Sequence, residues 1–296
     1  MLATCAETGT GSADRAVGPA LRYHGGKWRL APWIVSHFPE HRTYVEPFGG
    51  AAGVLLRKSR SYAEVYNDLD DDIANFFRVL RDPALCRALV RAVALTPYAR
   101  DEFDGAWLPT EDPVERARRT AVRAQMGFGS AGATKGSTGF RIDSKRTPAT
   151  AQHLWAEYPS TIAAAGLRLA GVLIENRPAL EVMRQHDGPD TLHFVDPPYL
   201  HQTRTLRGRG YRHEMDDAEH MRLLEALLDL KGMVVLCGYG SALYDDLLRG
   251  WTTRRTRARI SAARGSAVRT EVLWLNPACE AALAGEGLPL FSGVVS

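Results

Sequence analysis

A chain of 296 residues that is 45% hydrophobic has the apolar material for one large domain, or for one domain carrying an inserted subdomain. Its formal net charge of +3 excludes little by itself, so the distribution of charge matters more than the total. Four cysteines (Cys5, Cys86, Cys237 and Cys279) without CxxC spacing argue against a zinc site or a disulfide framework and fit a reduced, cytoplasmic setting. No run is long and apolar enough to span a membrane.

Residues 1–20 lack the basic start and apolar run of a signal peptide and read as a disordered leader. From Leu21 the chain becomes patterned. Gly25–Gly26 marks a tight turn, and Lys27 to His37 has helical spacing. Thr43–Val45 reads as a strand, GGAAG as a turn, and Gly53 to Lys58 as a helix start. A second strand, Glu64 to Asn67, runs into an acid cluster and a helix with apolar residues at 73, 76, 77 and 80. Residues 83–171 are mainly helical around the loop Gly127 to Phe140. Strands return at Val172–Glu175, Thr191–Val195 and Met233–Cys237, with late strands at 254–260 and 270–275. A helix from Asp216 to Leu230 opens with the D-x-x-E capping pattern. The alternation predicts a parallel α/β sheet built from 21–82 and 172–277, interrupted by the helical segment 83–171 and followed by a tail, 278–296.

Three stretches carry chemistry. In EPFGGAAG the strand tip holds Glu46, and Pro47, Phe48, Gly49 and Gly50 form the turn where a nucleotide-like ligand binds in doubly wound folds. The spacing is not that of a dinucleotide site, and close helix–strand packing is the plain alternative for these glycines. The second strand ends at Asp68, placed to accept hydrogen bonds from ribose hydroxyls, while Asp70 to Asp72 cap the helix that follows. No P-loop lysine is present, so a ribose without a triphosphate, as in an adenosyl compound, suits the site.

The third stretch is FVDPPYL. If the ligand is S-adenosylmethionine, the Asp196 carboxylate and the Pro197 carbonyl can accept both hydrogens of an exocyclic amine and aim its lone pair at the methyl group. Pro198 stiffens the turn, and Tyr199 can stack on the base. A base inside a duplex must be flipped out to reach such a site.

YHGGK (Tyr23, Gly25, Gly26, Lys27), EPFGGAAG, YNDLDDDI, VDPPY and TEVLWLN, in this order, resemble the motifs of the Dam-like, DPPY-type DNA adenine N6-methyltransferases of bacteria and phages, over roughly 21–277. The resemblance implies an α/β, Rossmann-like S-adenosylmethionine-dependent methyltransferase fold with a mainly helical target-recognition insert. It implies Asp196 to Tyr199 as the catalytic motif and the residues named in the first two motifs, with Asp68 and Asp196, as cofactor contacts. It implies duplex DNA as the partner and no metal. Ala51 and Ala52 stand where many members carry glycine or a branched residue. Asn176, a further cofactor contact by position, and Arg177 stand where an acid is expected nearby.

For DNA, segment 114–146 holds eight Lys/Arg against two acids, and Arg116, Arg119, Arg123, Lys135, Arg141 and Lys145 are its candidate contacts. The loop after DPPY adds Arg204, Arg207, Arg209 and Arg212. A third run, Thr252 to Arg269, has six arginines and no acid, and is left unassigned. GLPLF (Gly287 to Phe291) resembles sliding-clamp-binding tails without their leading glutamine, and reads first as an unstructured tail. The rival readings are N4-cytosine methylation, an RNA substrate, a DNA-binding protein without catalysis, and a nicotinamide oxidoreductase.

Overall fold

The computed structural model describes residues 18–129, 132–133, 138–142, 149–203, 210–262 and 265–285. Its centre is a seven-stranded sheet of order β3-β2-β1-β4-β5-β7-β6. The strands are β1 (Thr43–Glu46), β2 (Ala63–Asn67), β3 (Leu173–Glu175), β4 (Thr191–Val195), β5 (Met233–Gly238), β6 (Thr252–Ala262) and β7 (Gly265–Leu275). Strands β1 to β5 are parallel, and β7 runs antiparallel to both β5 and β6. Every residue of β4 and β5 is buried, which is why these strands read as near-continuous apolar runs rather than alternating ones. Strand order reverses at β1, which has β2 on one side and β4 on the other, so a crevice opens beyond the carboxyl ends of β1 and β4.

The two-residue period of the strands divides the core between the two faces of the sheet. Tyr44, Tyr66, Phe194, Val235 and Leu273 join one cluster, whereas Val195, Val234, Leu236, Val272 and Trp274 join another. The first face is covered by α1 (Ala31–Val35), α2 (Asp71–Arg81), α3 (Pro83–Leu95), α4 (Arg100–Gly105), α5 (Pro113–Met126) and α6 (Ala151–Leu169). The other face carries α7 (Ala179–Gln185), α8 (Asp217–Leu228) and α9 (Ala242–Leu247). The last helix, α10 (Pro277–Leu283), packs on β5 and buries Cys279, so order extends into the expected tail. Packing also begins ahead of Leu21: Ala20 is fully buried and its carbonyl accepts from the Tyr158 hydroxyl at 2.5 Å. Residues 1–17 and the GLPLF stretch lie outside the described residues.

Two predicted helices differ. The one expected over Lys27 to His37 shrinks to Ala31–Val35, because Lys27 to Leu30 form a turn closed by Leu30 and Ala31 amides on the Lys27 carbonyl. The one expected over Gly53 to Lys58 is a chain of turns. Its amides alternate between i−3 and i−4 acceptors, Leu55 N–H is taken by the Glu46 carboxylate, and Ala52 sits at φ +53°. The capping of α8 matches its sequence pattern, with Asp216 and Glu219 each accepting the other's backbone N–H.

Segment 83–169 is not a separate core. Helix α5 packs on α2, α6 packs on α3, and Arg168 of α6 reaches β2. There it makes a bidentate pair with Glu64 at 2.6 and 2.9 Å, and Lys58 adds a third charge at 2.8 Å. Burial pushes the Glu64 carboxyl up, but the Arg168 hydrogen bonds and Lys58 outweigh it and hold it below the usual range. Removing Arg168 leaves the buried Glu64 carboxylate short of its bidentate partner, with Lys58 still paired to it, so Arg168→Ala is expected to destabilise the fold by about 3 kcal/mol, read from the urea midpoint.

Candidate active site

The loops after β1 and β2 lock together. Gly50 turns the chain at φ +49°, its N–H donates to Asp68 Oδ2 at 2.8 Å, and its carbonyl accepts from the Tyr66 hydroxyl at 2.6 Å. A side chain at Gly49 would collide with the Tyr66 ring. The Asp70 amide donates to Asp68 Oδ1 at 2.8 Å, and Asp70 in turn caps α2 through the Asp72 amide. Asn67 ties the Pro47 carbonyl to the Arg177 backbone, while Asn176 Nδ2 donates to the Asp68 carbonyl at 2.9 Å. Burial raises the Asp68 carboxyl to about 6 against these two backbone donors. Glu46, buried and accepting from the Tyr44 hydroxyl and Leu55 N–H, is raised by burial to about 8.

Asp196 stands one residue past β4, in the crevice. Its Oδ2 pairs with Lys27 Nζ at 2.8 Å, and the same ammonium donates to the Gly25 carbonyl at 2.8 Å. Burial raises Asp196, and Lys27 pulls it partly back. Burial would lower Lys27, but the neighbouring acids outweigh it and keep the ammonium protonated. Asp196 Oδ1 is buried and accepts no hydrogen bond among the described residues.

Tyr199 is held more firmly than a stacking role alone requires. Its hydroxyl donates to Glu271 Oε2 at 2.8 Å, Tyr239 meets its ring edge-on at 4.6 Å, and Lys27 Nζ lies 4.8 Å from its centroid. Glu271 lies in the TEVLWLN motif without a role assigned to it there, and Tyr239 and the buried Cys237 beside it fall outside the motifs. The available signal is Glu271 itself, an acid in phase with the core positions Leu273 and Leu275 of β7.

Tyr23, Gly25, Gly26, Lys27, Glu46, Pro47, Phe48, Gly49, Gly50, Asp68, Asp196 and Pro198 all line one cleft of about 950 Å³, counting space open to solvent. Asn176, Pro197 and Tyr199 do not line it; Asn176 braces the Asp68 loop from behind. Segment 211–215 closes one wall, with Tyr211 packed 5.3 Å from His24 and Arg212 paired to Asp70 and Asp72 at 2.9 and 3.1 Å.

The candidate DNA-contact arginines are largely engaged inside the protein. Asp72 collects Arg116, Arg123 and Arg212, while Arg119 binds Glu115 and the carbonyls of Leu108 and Pro109. Arg123 and Arg141 are buried. Lys135, Lys145, Arg204, Arg207 and Arg209 lie outside the described residues.

The sheet and its cleft define an α/β protein consistent with a methyltransferase fold, with a concave site at the carboxyl ends of β1, β2 and β4. Residues 23–107 match the family model for D12 class N6 adenine-specific DNA methyltransferases. Two DNA adenine methylases of Vibrio cholerae serotype O1, from strains ATCC 39541 and ATCC 39315, are each 38% identical to the chain over 61 residues. Each alignment covers 21% of this chain and 22% of the relative, so the chain spans about a fifth of the curated relatives it matches. A precorrin 8w decarboxylase structure from Methanobacterium thermoautotrophicum covers 84% of this chain and 89% of its own at 11% identity and a TM-score of 0.32, a likeness too weak to carry fold or function. No helix among the described residues is long and apolar enough to cross a membrane.

Proposed function

We propose that the protein is a site-specific DNA methyltransferase, acting on the N6 amine of an adenine flipped out of duplex DNA, with S-adenosylmethionine as methyl donor and a Rossmann-like catalytic domain. The observation that carries this reading is Asp196 Oδ1, a buried acceptor without a donor among the described residues, at the wall of the cleft.

The cleft suits an adenosyl ligand. The half-buried Asp68 carboxylate, held by two backbone N–H groups, faces it as a ribose acceptor. The Gly49–Gly50 turn brings backbone close without side-chain obstruction, and Phe48 and Pro47 offer apolar surface. S-adenosylmethionine supplies a methyl group on a sulfonium, ready for direct displacement.

The chain's own contribution is positioning. Lys27 fixes Asp196 through Oδ2 and leaves Oδ1 to accept one amine hydrogen of the target base. The Pro197 carbonyl accepts the second, drawing the amine toward tetrahedral geometry and freeing its lone pair. Glu271 and Tyr239 hold the Tyr199 ring beside Asp196, so the aromatic face is preset rather than ordered by substrate. The helical segment 83–171 serves as target-recognition insert and supplies base and phosphate contacts.

The test is to incubate the protein with S-adenosylmethionine and mixed-sequence duplex DNA, digest to nucleosides, and identify the methylated product by mass. N6-methyladenine is expected. N4-methylcytosine would keep the clamp and move the base. A protein that binds cofactor and DNA yet modifies neither base would overturn the reading.

A further inference from the structure

The arginine run that the motifs leave unassigned forms a distinct piece of architecture. Strand β7 pairs with β5 only from Val272 to Leu275, opposite Gly238 to Val235. From Gly265 to Glu271 its ladder partner is β6 alone, in unbroken register with Thr256 to Ala262. Seven residue pairs therefore run beyond the end of β5 as a two-stranded ribbon, about 23 Å long at about 3.3 Å per residue.

The direction of this overhang follows from register. Val195 pairs with Leu236, so Asp196 lies level with Cys237, and Cys237 pairs with Leu273. Because β7 is antiparallel, moving from Leu273 toward Gly265 carries the ribbon past Asp196 and out on the catalytic side of the sheet. Its root is bonded into the site: Glu271 accepts from Tyr199, and the Arg269 guanidinium lies 5.9 Å from the Tyr239 ring centroid.

The ribbon is cationic. Residues 256–271 hold four arginines against one acid, Glu271 at the root, and Arg254 and Arg255 lie just before them on β6. Arg254 is committed to Glu280 at 3.1 Å. Arg255 and Arg257 are exposed, two residues apart and hence on one face, with no ion-pair partner among the described residues. Thr253 and Thr270 are also exposed there, and Thr270 stands opposite Arg257 in the ladder. The helical segment packs through α3, α5 and α6 on α2, and α2 lies against β3 at the opposite edge of the sheet. A duplex laid across the carboxyl ends of the strands thus meets helices on one side of Asp196 and this ribbon on the other.

We propose that the base of the β6–β7 ribbon is a second DNA-contact surface, in which Arg257, at its start, and Arg255, just before it on β6, hold backbone phosphates flanking the target base. The inference rests on the reading of the protein as a DNA methyltransferase and adds a surface that reading does not require. Such contacts position the duplex without reading sequence.

The experiment is fluorescence anisotropy of labelled duplexes with the full chain, from about 50 to about 200 mM salt. The variant is Arg255→Gln with Arg257→Gln; the control is Arg184→Gln with Arg222→Gln, two exposed arginines on α7 and α8 that remove the same charge elsewhere. Each phosphate contact contributes about 0.9 to the log–log salt slope, so the ribbon variant is expected to lose about 2 units of slope. The loss of affinity is expected to be equal on target and scrambled duplexes, with the control slope unchanged and both melting temperatures near wild type. An unaltered slope in the ribbon variant, or an equal drop in the control, would overturn the ribbon alone while the methyltransferase reading stands. Failure of the wild-type protein to bind any duplex would overturn both.

Discussion

Asp196→Ala is expected to lower methyl transfer by ~10³-fold, the upper end of what removing one preorganised polar group costs. Cofactor and duplex affinities should stay near wild type, because the ribose acceptor and the basic surfaces lie elsewhere. The measurement is single-turnover transfer of labelled methyl, with anisotropy for DNA and a cofactor titration alongside. The alanine also strands the Lys27 ammonium, which is 8% exposed and loses its carboxylate. Asp196→Asn separates the two effects, since its amide oxygen can still accept from Lys27 while its NH₂ group offers the target amine a donor instead of an acceptor. If Oδ1 orients the substrate amine, the asparagine variant should be stable and as inactive as the alanine. An active asparagine variant would mean that holding Lys27 matters and the Oδ1 acceptor does not.

How much of this was legible beforehand depends on the range of the interactions. The buried strands announce themselves locally: TLHFV and MVVLCG are apolar runs of strand length, and the acid–proline break after the first marks its end. The cleft residues were legible because each belongs to a short contiguous motif: YHGGK precedes α1, and the others lie at the carboxyl ends of β1, β2 and β4, which the parallel sheet gathers in one crevice. What escaped is long-range. Glu271 reaches Tyr199 across 72 positions, and Arg212 reaches Asp70 across 142. No periodicity reports such pairings.

The same blindness affects the charges. Counting Arg116, Arg123 and Arg212 as basic surface ignores Asp72, which the sequence places in a helix cap and the fold places among all three. Local propensity also misled at Gly53 to Lys58. There Leu55 N–H goes to Glu46, and Lys58 is drawn to Glu64, so tertiary partners displace the helical ladder. The overhang of β6–β7 is visible only once β5 is seen to end at Gly238.

The second large effect concerns Asp68. Asp68→Ala is expected to weaken cofactor affinity by about 1–3 kcal/mol through loss of a charge-assisted acceptor. Asp68→Asn, which retains one acceptor oxygen for the loop amides, controls for loop disorder. The pH dependence follows from burial, which raises this carboxyl to about 6 in the folded protein. Between the ordinary aspartate value near 4 and about 6, the folded state then holds a proton that the unfolded chain has lost. Asp68 therefore lowers stability as pH rises through that window, and its cost is fully present above about 6. Ribose hydroxyls donate to the ionised form and relieve that cost, so cofactor binding should be strongest above about 6 and should release a proton when measured near pH 5.5. Calorimetry in buffers of different ionisation enthalpy reads that proton directly. Glu46, raised to about 8, and Asp70, also raised by burial, line the same cleft. The share belonging to Asp68 is the part that vanishes in Asp68→Asn. Proton release that persists unchanged in that variant would remove Asp68 from the ribose contact and pass the role to one of its acidic neighbours.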